Sequence, residues 1–116
     1  MDTFAQAWNR HDAEALISMM TADAVFETAA GPEKFGARHV GREHLRRAFS
    51  AVWEAFPDAS WNDANHVAFG DRGFSEWTFR GTDRNGAVVE VRGVDLFVFR
   101  NDKIARKDTF RKTLIK

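Results

Sequence analysis

At 116 residues the chain has the length of one domain, and its 44% hydrophobic content, with 11 phenylalanines, can form a real core. Lys plus Arg and Asp plus Glu both number 17. The zero net charge argues against a nucleic-acid surface or an electrostatic membrane anchor. The chain has no cysteine, which excludes disulfides, thiolate nucleophiles and thiolate zinc sites, and no apolar run approaches the ~18 residues of a membrane span. We therefore expect one soluble, cytoplasmic domain over residues 1–116.

The N-terminal half has helical periodicity. An apolar stripe predicts one bent helix or two short helices, at roughly 2–10 and 13–20, with Asp12 capping the second. The clearest helix is predicted over 42–55, where apolar residues recur at helical spacing until Pro57 ends it.

Between the first two predicted helices and the helix at 42–55, a short strand is predicted at 24–28, and the Gly-rich residues 29–41 are predicted to form a loop. After Asp58 the pattern changes to strand periodicity. Runs rich in Val, Phe, Trp and Thr predict four consecutive antiparallel strands at about 61–69, 73–80, 87–100 and 103–112. Helices followed by an antiparallel sheet indicate an α+β fold, with the helices packed on one sheet face.

Two turns predict a row of carboxylates across the sheet. A two-residue turn at Asn85-Gly86, whose residues tolerate positive φ, would place Glu76 opposite Asp95. A second turn, Asn101-Asp102, would place Asp95 opposite Asp108. Opposed like charges are destabilising, so such a row is neutralised by a cation, partly protonated, or used.

The role of this row has two readings. A Phe-rich face and a neighbouring carboxylate would raise the pKa of Asp95 or Asp108, which suits a proton carrier. The alternative is that Arg106 simply neutralises both groups, and Glu76 could pair with the same guanidinium. A bulge would instead move a carboxylate to the other face, and the cavity could then lie on the face of Trp77 and Phe79.

Aromatic side chains could line a pocket for a flat apolar ligand, although core packing is the simpler explanation for each. His39 lies in the Gly-rich loop that could close such a pocket. His66 is predicted to lie on the face opposite the carboxylates. The predicted ligand-binding residues are Trp8, Trp53, Trp61, Phe97, Phe110 and His39.

Both predicted sheet faces are apolar, and the helices are too few to cover both. We therefore expect a homodimer packed sheet on sheet, burying more than ~1,000 Å² in total. Trp77 fits this dimer face.

The order helix–helix–strand–helix–four strands resembles the NTF2-like superfamily, a cone-shaped α+β fold. Short segments resemble its SnoaL-like branch over essentially the whole chain. They are Trp8-Asn9-Arg10-His11-Asp12, Gly41-Arg42-Glu43, Phe56-Pro57-Asp58, residues 76–82, residues 93–99 and residues 103–108.

The resemblance implies a cavity between the concave sheet face and the helices. SnoaL-like cyclases place an acid/base Asp on the last strands with a His partner, and the resemblance implies that Asp108 or Asp95 occupies the position of this acid/base Asp. Ketosteroid isomerases need a cavity Tyr, and this chain has no tyrosine. Limonene-type epoxide hydrolases use an Asp-Arg-Asp arrangement that Arg106, Asp108 and Asp95 imitate only in part. The superfamily also includes proteins without catalysis, so fold alone does not choose a function.

The sequence thus predicts a small enzyme of the SnoaL-like kind, a cyclase, isomerase or hydrolase acting on a hydrophobic carbonyl or polyketide-like substrate by general acid/base chemistry. Asp108 and Asp95 would carry the proton, with Arg106 setting their charge and Glu76 beside them. No cofactor and no metal are expected, because the acidic residues lack the dense spacing of dedicated cation sites. The alternative is a non-catalytic dimer that binds an apolar ligand or a protein in the same cavity.

Overall fold

A computed structural model of the protein describes residues 1–115, which form three helices and six strands. The helices are α1 (Asp2–Asn9), α2 (Ala13–Ser18) and α3 (Arg42–Ala55). The strands are β1 (Met20–Glu27), β2 (Arg38–Val40), β3 (Ser60–Phe69), β4 (Arg72–Thr82), β5 (Val88–Arg100) and β6 (Lys103–Arg111). The predicted α+β class is confirmed.

The break between α1 and α2 follows from the local sequence. His11 has a positive φ of 57°, which ends the first helix. The Asp12 side chain then accepts a hydrogen bond from the backbone amide of Ala15 at 3.1 Å and caps the second helix. The prediction of two short helices is therefore right, and the bent-helix alternative is wrong.

The six strands form one curved, unclosed sheet in the order β2-β1-β6-β5-β4-β3. β1 runs parallel to β6, and every other neighbouring pair is antiparallel. The predicted loop at 29–41 contains the short strand β2, which pairs with β1. Within residues 1–115, no helix is both long enough and apolar enough to cross a membrane.

The helices pack against one side of the sheet, here called the inner face. The core on this side joins Phe4, Leu16 and Phe49 from the helices to Phe97 and Ile104 from the sheet. A second group of buried residues, which includes Trp77 and Phe79, continues the inner face along β4. The opposite side is called the outer face.

The β4–β5 register differs from the prediction by one residue. Asp83 and Ala87 enclose a three-residue turn in which Gly86 has a φ of 81°, and the Asp83 carboxylate accepts from the backbone amides of Asn85 and Ala87. This is the common three-residue alternative to the two-residue Asn-Gly turn. As a result Glu76 pairs with Val94 instead of Asp95.

The β5–β6 register also departs from the prediction. The Asn101-Asp102 turn does pair Arg100 with Lys103, as expected. An irregularity between Phe99 and Val98 then shifts the pairing of β5 with β6 by one residue. Past that point Asp95 pairs with Thr109, and Asp108 pairs with Leu96. The predicted row of three carboxylates is therefore wrong, because a one-residue shift moves side chains to the other face.

Candidate functional site

A row of polar residues does cross the inner face, but with a different membership. The register joins His66 on β3 to Ser75 on β4, Ser75 to Asp95 on β5, and Asp95 to Thr109 on β6. Lys107 lies two residues before Thr109 on the same face of β6. His66 therefore shares a face with Asp95, contrary to the prediction that it would lie opposite.

Asp95 is buried and holds three hydrogen bonds. Its Oδ1 accepts from Lys107 Nζ at 3.0 Å and from Thr109 Oγ1 at 2.6 Å, and its Oδ2 accepts from Trp77 Nε1 at 3.0 Å. An ionised carboxylate offers about four lone-pair positions, so one position is left. Gly93 allows this arrangement, since a Cβ there would lie 2.4 Å from the Trp77 ring.

Lys107 is the buried cation of the site, with a side chain only 5% exposed. Burial lowers the pKa of the Lys107 ammonium, and the charge of Asp95 opposes this only in part. Nζ donates to Asp95 and also to Thr109 Oγ1 at 2.7 Å. It lies 4.5 Å from the ring centroid of Phe26 and 5.0 Å from that of Trp8. An ammonium has three N–H groups, so one has no hydrogen-bond acceptor among residues 1–115, and Nζ lies beside the rings of Phe26 and Trp8.

Three neighbouring pockets that share lining residues, here called lobes, make up the inner-face cavity. The inner lobe, of about 30 Å³, lies beside His66, Asp95 and Phe97. The middle lobe, of about 170 Å³, shares Trp8, Trp61, Trp77 and Lys107 with it and extends to Thr109 and Arg111. The outer lobe, of about 330 Å³, continues past Arg111 to His39 and α3. The Asp95–Lys107 pair thus lies in the wall of an aromatic cavity.

His66 contributes a second titratable group to the inner lobe. Its Nδ1 lies 2.7 Å from Ser75 Oγ. Its Nε2 is buried without a hydrogen-bond partner in the described chain, and the nearest carboxylate oxygen, on Asp2, is 3.9 Å away. When the proton lies on Nδ1 and is donated to Ser75, Nε2 carries a free lone pair.

Three of the predicted catalytic residues lie on the outer face. Arg106 pairs with Glu27 and lies 3.6 Å from Asp108, and Arg38 pairs with Glu27 from β2. Burial raises the pKa of Asp108, and the charge of Glu27 adds to this. Glu76 stands farther along the same face, beside Val94. The structure therefore does not bring Asp108, Arg106 or Glu76 together with Asp95.

The predicted ligand-binding residues are divided between several places. Trp8, Trp61 and Phe97 line the inner-face cavity, and His39 lines its outer lobe. Trp53 packs on Trp8 and stacks on His11 instead, with its ring 5.3 Å and 5.1 Å from theirs. Phe110 lies on the outer face and is 52% exposed.

Sequence reasoning missed Lys107 and misplaced Trp77. Lys107 stands between Arg106 and Asp108, a charged run that is typical of an exposed strand. Trp77 was predicted on the dimer face but is 6% exposed and donates to Asp95. The signal that could have placed Trp77 is Asp83, which caps the three-residue turn and sets the register of β4 and β5. The face of Lys107 depends on the separate irregularity between Val98 and Phe99, which carries no such local signal.

No cluster of three or more His, Cys, Asp or Glu residues with the geometry of a metal site occurs among residues 1–115. The donors gathered at Asp95 are an ammonium, a hydroxyl and an indole N–H. These groups satisfy a carboxylate and do not extend it into a cation site.

The profile of the SnoaL-like domain matches residues 1–107. The chain belongs to this family. The SnoaL-like domain has the fold of a candidate polyketide cyclase from Xanthomonas campestris pv. campestris, with a TM-score of 0.83 and 21% identity over 94% of this chain and 84% of that one. An NTF2-like protein of unknown function from Mesorhizobium loti is 27% identical, with a TM-score of 0.77 over 97% of this chain and 88% of that one.

A further similar structure is that of TerC co-crystallised with polyporic acid, at 17% identity and a TM-score of 0.79 over 95% of this chain and 86% of that one. Among proteins with curated functions, none matches this chain. The predicted NTF2-like and SnoaL-like assignment is thus confirmed.

Proposed function

We propose that this SnoaL-like domain binds a small hydrophobic carbonyl compound in the inner-face cavity and catalyses proton transfer on it, as a cyclase or an isomerase would. The observation that carries the proposal is the Asp95–Lys107 pair in the wall of an aromatic cavity. The similarity to a candidate polyketide cyclase and to a protein that binds polyporic acid supports a ligand of this kind.

Lys107 acts as the acid in this proposal. Its third N–H would donate to the carbonyl oxygen of a ligand placed beside Trp8 and Phe26. Because burial lowers the pKa of its ammonium, Lys107 gives up a proton more readily than a solvated lysine. A donor fixed in a low-dielectric site stabilises the negative charge that develops on an enolate oxygen. Asp95 and Thr109 position the ammonium.

His66 acts as the base. Its Nε2 is buried and has no hydrogen-bond partner in the described chain, and its side chain lines the inner lobe beside Asp95. Ser75 Oγ at 2.7 Å from Nδ1 orients the ring. The lone pair on Nε2 would take the proton from the carbon next to the carbonyl group, while Lys107 donates to its oxygen.

The probe for this proposal is 2-acetonaphthone in D₂O. Proton NMR follows the exchange of its methyl hydrogens, which requires the enolate. We expect the protein to accelerate exchange over buffer, and both Lys107→Met and His66→Gln to lower that rate by about 100-fold or more. Asp108→Asn, on the outer face, is the matched control and should keep the rate.

A non-catalytic binding domain is the second candidate function. It is favoured by the three donors that already occupy Asp95 and by the inner lobe, whose volume of about 30 Å³ is near that of a single water. Under this alternative the ketone would still bind, as followed by tryptophan fluorescence, but the wild-type protein would not accelerate exchange. Acceleration that survives in both Lys107→Met and His66→Gln would contradict the assigned roles.

We also propose that the outer face forms the homodimer. Large apolar side chains remain exposed there, among them Leu96 at 45% and Phe110 at 52%. Such a face on one side of an antiparallel sheet is typical of an interaction surface. Sedimentation equilibrium should show a dimer at micromolar concentration and a monomer after Leu96→Glu. A monomeric wild-type protein would contradict this.

A further inference from the structure

Among the described residues, Arg111 is the cavity cation that has no anionic partner. It lies on the inner face at the end of β6, paired across the ladder with Gly93, and it lines both the middle and the outer lobes. Its guanidinium is 4.8 Å from the centroid of Phe79. Within residues 1–115 its side chain has no carboxylate within 4.0 Å and donates no hydrogen bond.

A half-buried guanidinium without a partner is unusual. Buried charges in proteins are normally paired, and contact with a phenyl ring compensates only in part for lost water. Burial lowers the pKa of Arg111, which reflects the same loss of hydration. The five N–H donors of the group form a planar fork that fits a carboxylate with two parallel hydrogen bonds.

The charges along the cavity also favour an anionic ligand. The charged side chains that line the three lobes are Asp95, Lys107 and Arg111, with no acidic residue in the middle and outer lobes. Asp95 and Lys107 neutralise each other at 3.0 Å. The positive charge of Arg111 therefore remains, beside the middle and outer lobes.

The walls around Arg111 define the rest of the ligand. Trp8, Trp61 and Trp77 line the middle lobe, and Phe26 lines both the middle and the outer lobes. Flat aromatic surfaces give large contact areas to planar ring systems. We propose that Arg111 binds the carboxylate of an aromatic or polycyclic acid, whose ring system extends into the middle lobe toward Lys107. This inference rests on the proposed function, because it names the substrate class of the same cavity.

The probes are naphthalene-2-carboxylate and its neutral isostere naphthalene-2-carboxamide. Isothermal titration calorimetry at neutral pH should show the carboxylate binding about tenfold or more tightly than the amide, as a charge-assisted bidentate pair would give. In Arg111→Gln the ratio of carboxylate affinity to amide affinity should fall to about one, while the amide keeps its affinity within about twofold. Arg111→Lys should give an intermediate ratio, since lysine keeps the charge but not the fork.

Arg47→Gln is the matched control. Arg47 is an arginine on α3 whose side chain is 74% exposed, so its loss changes the net charge equally without touching the inner-face cavity. Its carboxylate-to-amide ratio should equal that of the wild type. Thermal unfolding of Arg111→Gln and Arg111→Lys confirms that both variants are folded before binding is compared.

The outcomes separate this inference from the proposed function. A wild-type ratio near one, or a ratio that persists in Arg111→Gln, overturns the role of Arg111 and leaves the exchange assay unaffected. Absence of binding by both probes at millimolar concentration overturns the inference and the ligand class of the proposed function together. A preference that depends on Arg111, without catalysed exchange of the ketone, keeps the inference and rejects the catalytic roles.

Discussion

Two buried carboxylates, Asp95 and Glu27, lie on opposite faces of one sheet and are held in different ways. Glu27 on the outer face is bound by Arg38 and Arg106, whose side chains are 47% and 46% exposed. Asp95 on the inner face is bound by Lys107, whose side chain is 5% exposed. An arginine does not lose its proton in a protein, whereas a buried lysine can. The outer cluster of Glu27, Arg38 and Arg106 is therefore suited to stabilising the sheet. The inner pair of Asp95 and Lys107 is suited to proton transfer.

β6 serves both clusters because its side chains alternate between faces. Arg106 and Asp108 belong to the outer cluster, and Lys107 and Thr109 belong to the inner site. Phe35 of the loop between β1 and β2 lies 3.9 Å from the Arg38 guanidinium and helps to cover the outer cluster. The inner pair instead borders the aromatic cavity. One strand thus separates an ion-pair network on the outer face from a buried pair that lines the inner-face cavity.

The largest effect is expected when the inner pair is broken. Asp95→Asn should lower the free energy of unfolding by about 3–5 kcal/mol, because it leaves the buried Lys107 ammonium without a counter-charge. The double variant Asp95→Leu/Lys107→Met should recover most of that loss, since apolar residues can replace a buried pair. Urea denaturation of the single and double variants measures both. A loss below about 1 kcal/mol for Asp95→Asn would show that water reaches the lysine.

A smaller effect is expected on the outer face. Glu27→Gln should lower the free energy of unfolding by about 1.5–3 kcal/mol, the range for hydrogen bonds to charged groups. Arg38 and Arg106 keep access to water, so losing their partner costs them less than it costs Lys107. The same urea experiment gives the comparison. A larger loss for Glu27→Gln than for Asp95→Asn would reverse the assignment of the two faces.

The smallest effect is a dependence on alkaline pH. The pKa of Lys107 is lowered in the folded protein, so between that pKa and 10.5 the unfolded chain binds more protons at this residue. The free energy of unfolding of the wild type minus that of Lys107→Met should therefore rise with pH across this window, by at most about 1.4 kcal/mol per pH unit. The chain has no tyrosine to titrate in the same range. A difference that is flat or falls with pH would contradict the lowered pKa.

The fold was largely predictable because its signals are local. Helix α3 begins at Arg42 and ends at Ala55 as predicted, since apolar periodicity and Pro57 fix it. The Asn101-Asp102 turn was also read correctly, and both residues adopt the positive φ that such a turn requires. Strand β2 was missed, because three residues within a Gly-rich loop carry no periodicity of their own.

The site was harder to predict because register accumulates single-residue errors. The turn capped by Asp83 and the irregularity after Phe99 each shift the ladder by one residue. The sequence singles out Asp95 as one of a row of carboxylates, but its predicted neighbours lie on the other face. The true partner, Lys107, lies in a charged run whose burial depends on packing against Trp8 and Phe26, residues far away in sequence.

We propose that Lys107 is a buried proton donor bordering the inner-face cavity. A ¹³C NMR titration of the Lys107 side chain at Cε, assigned by comparison with Lys107→Met, tests this role. We expect a pKa below the ordinary 10.5 for Lys107, and a shift of its resonance when naphthalene-2-carboxylate or 2-acetonaphthone binds. A Lys107 that titrates at or above 10.5 and does not respond to either compound would contradict it.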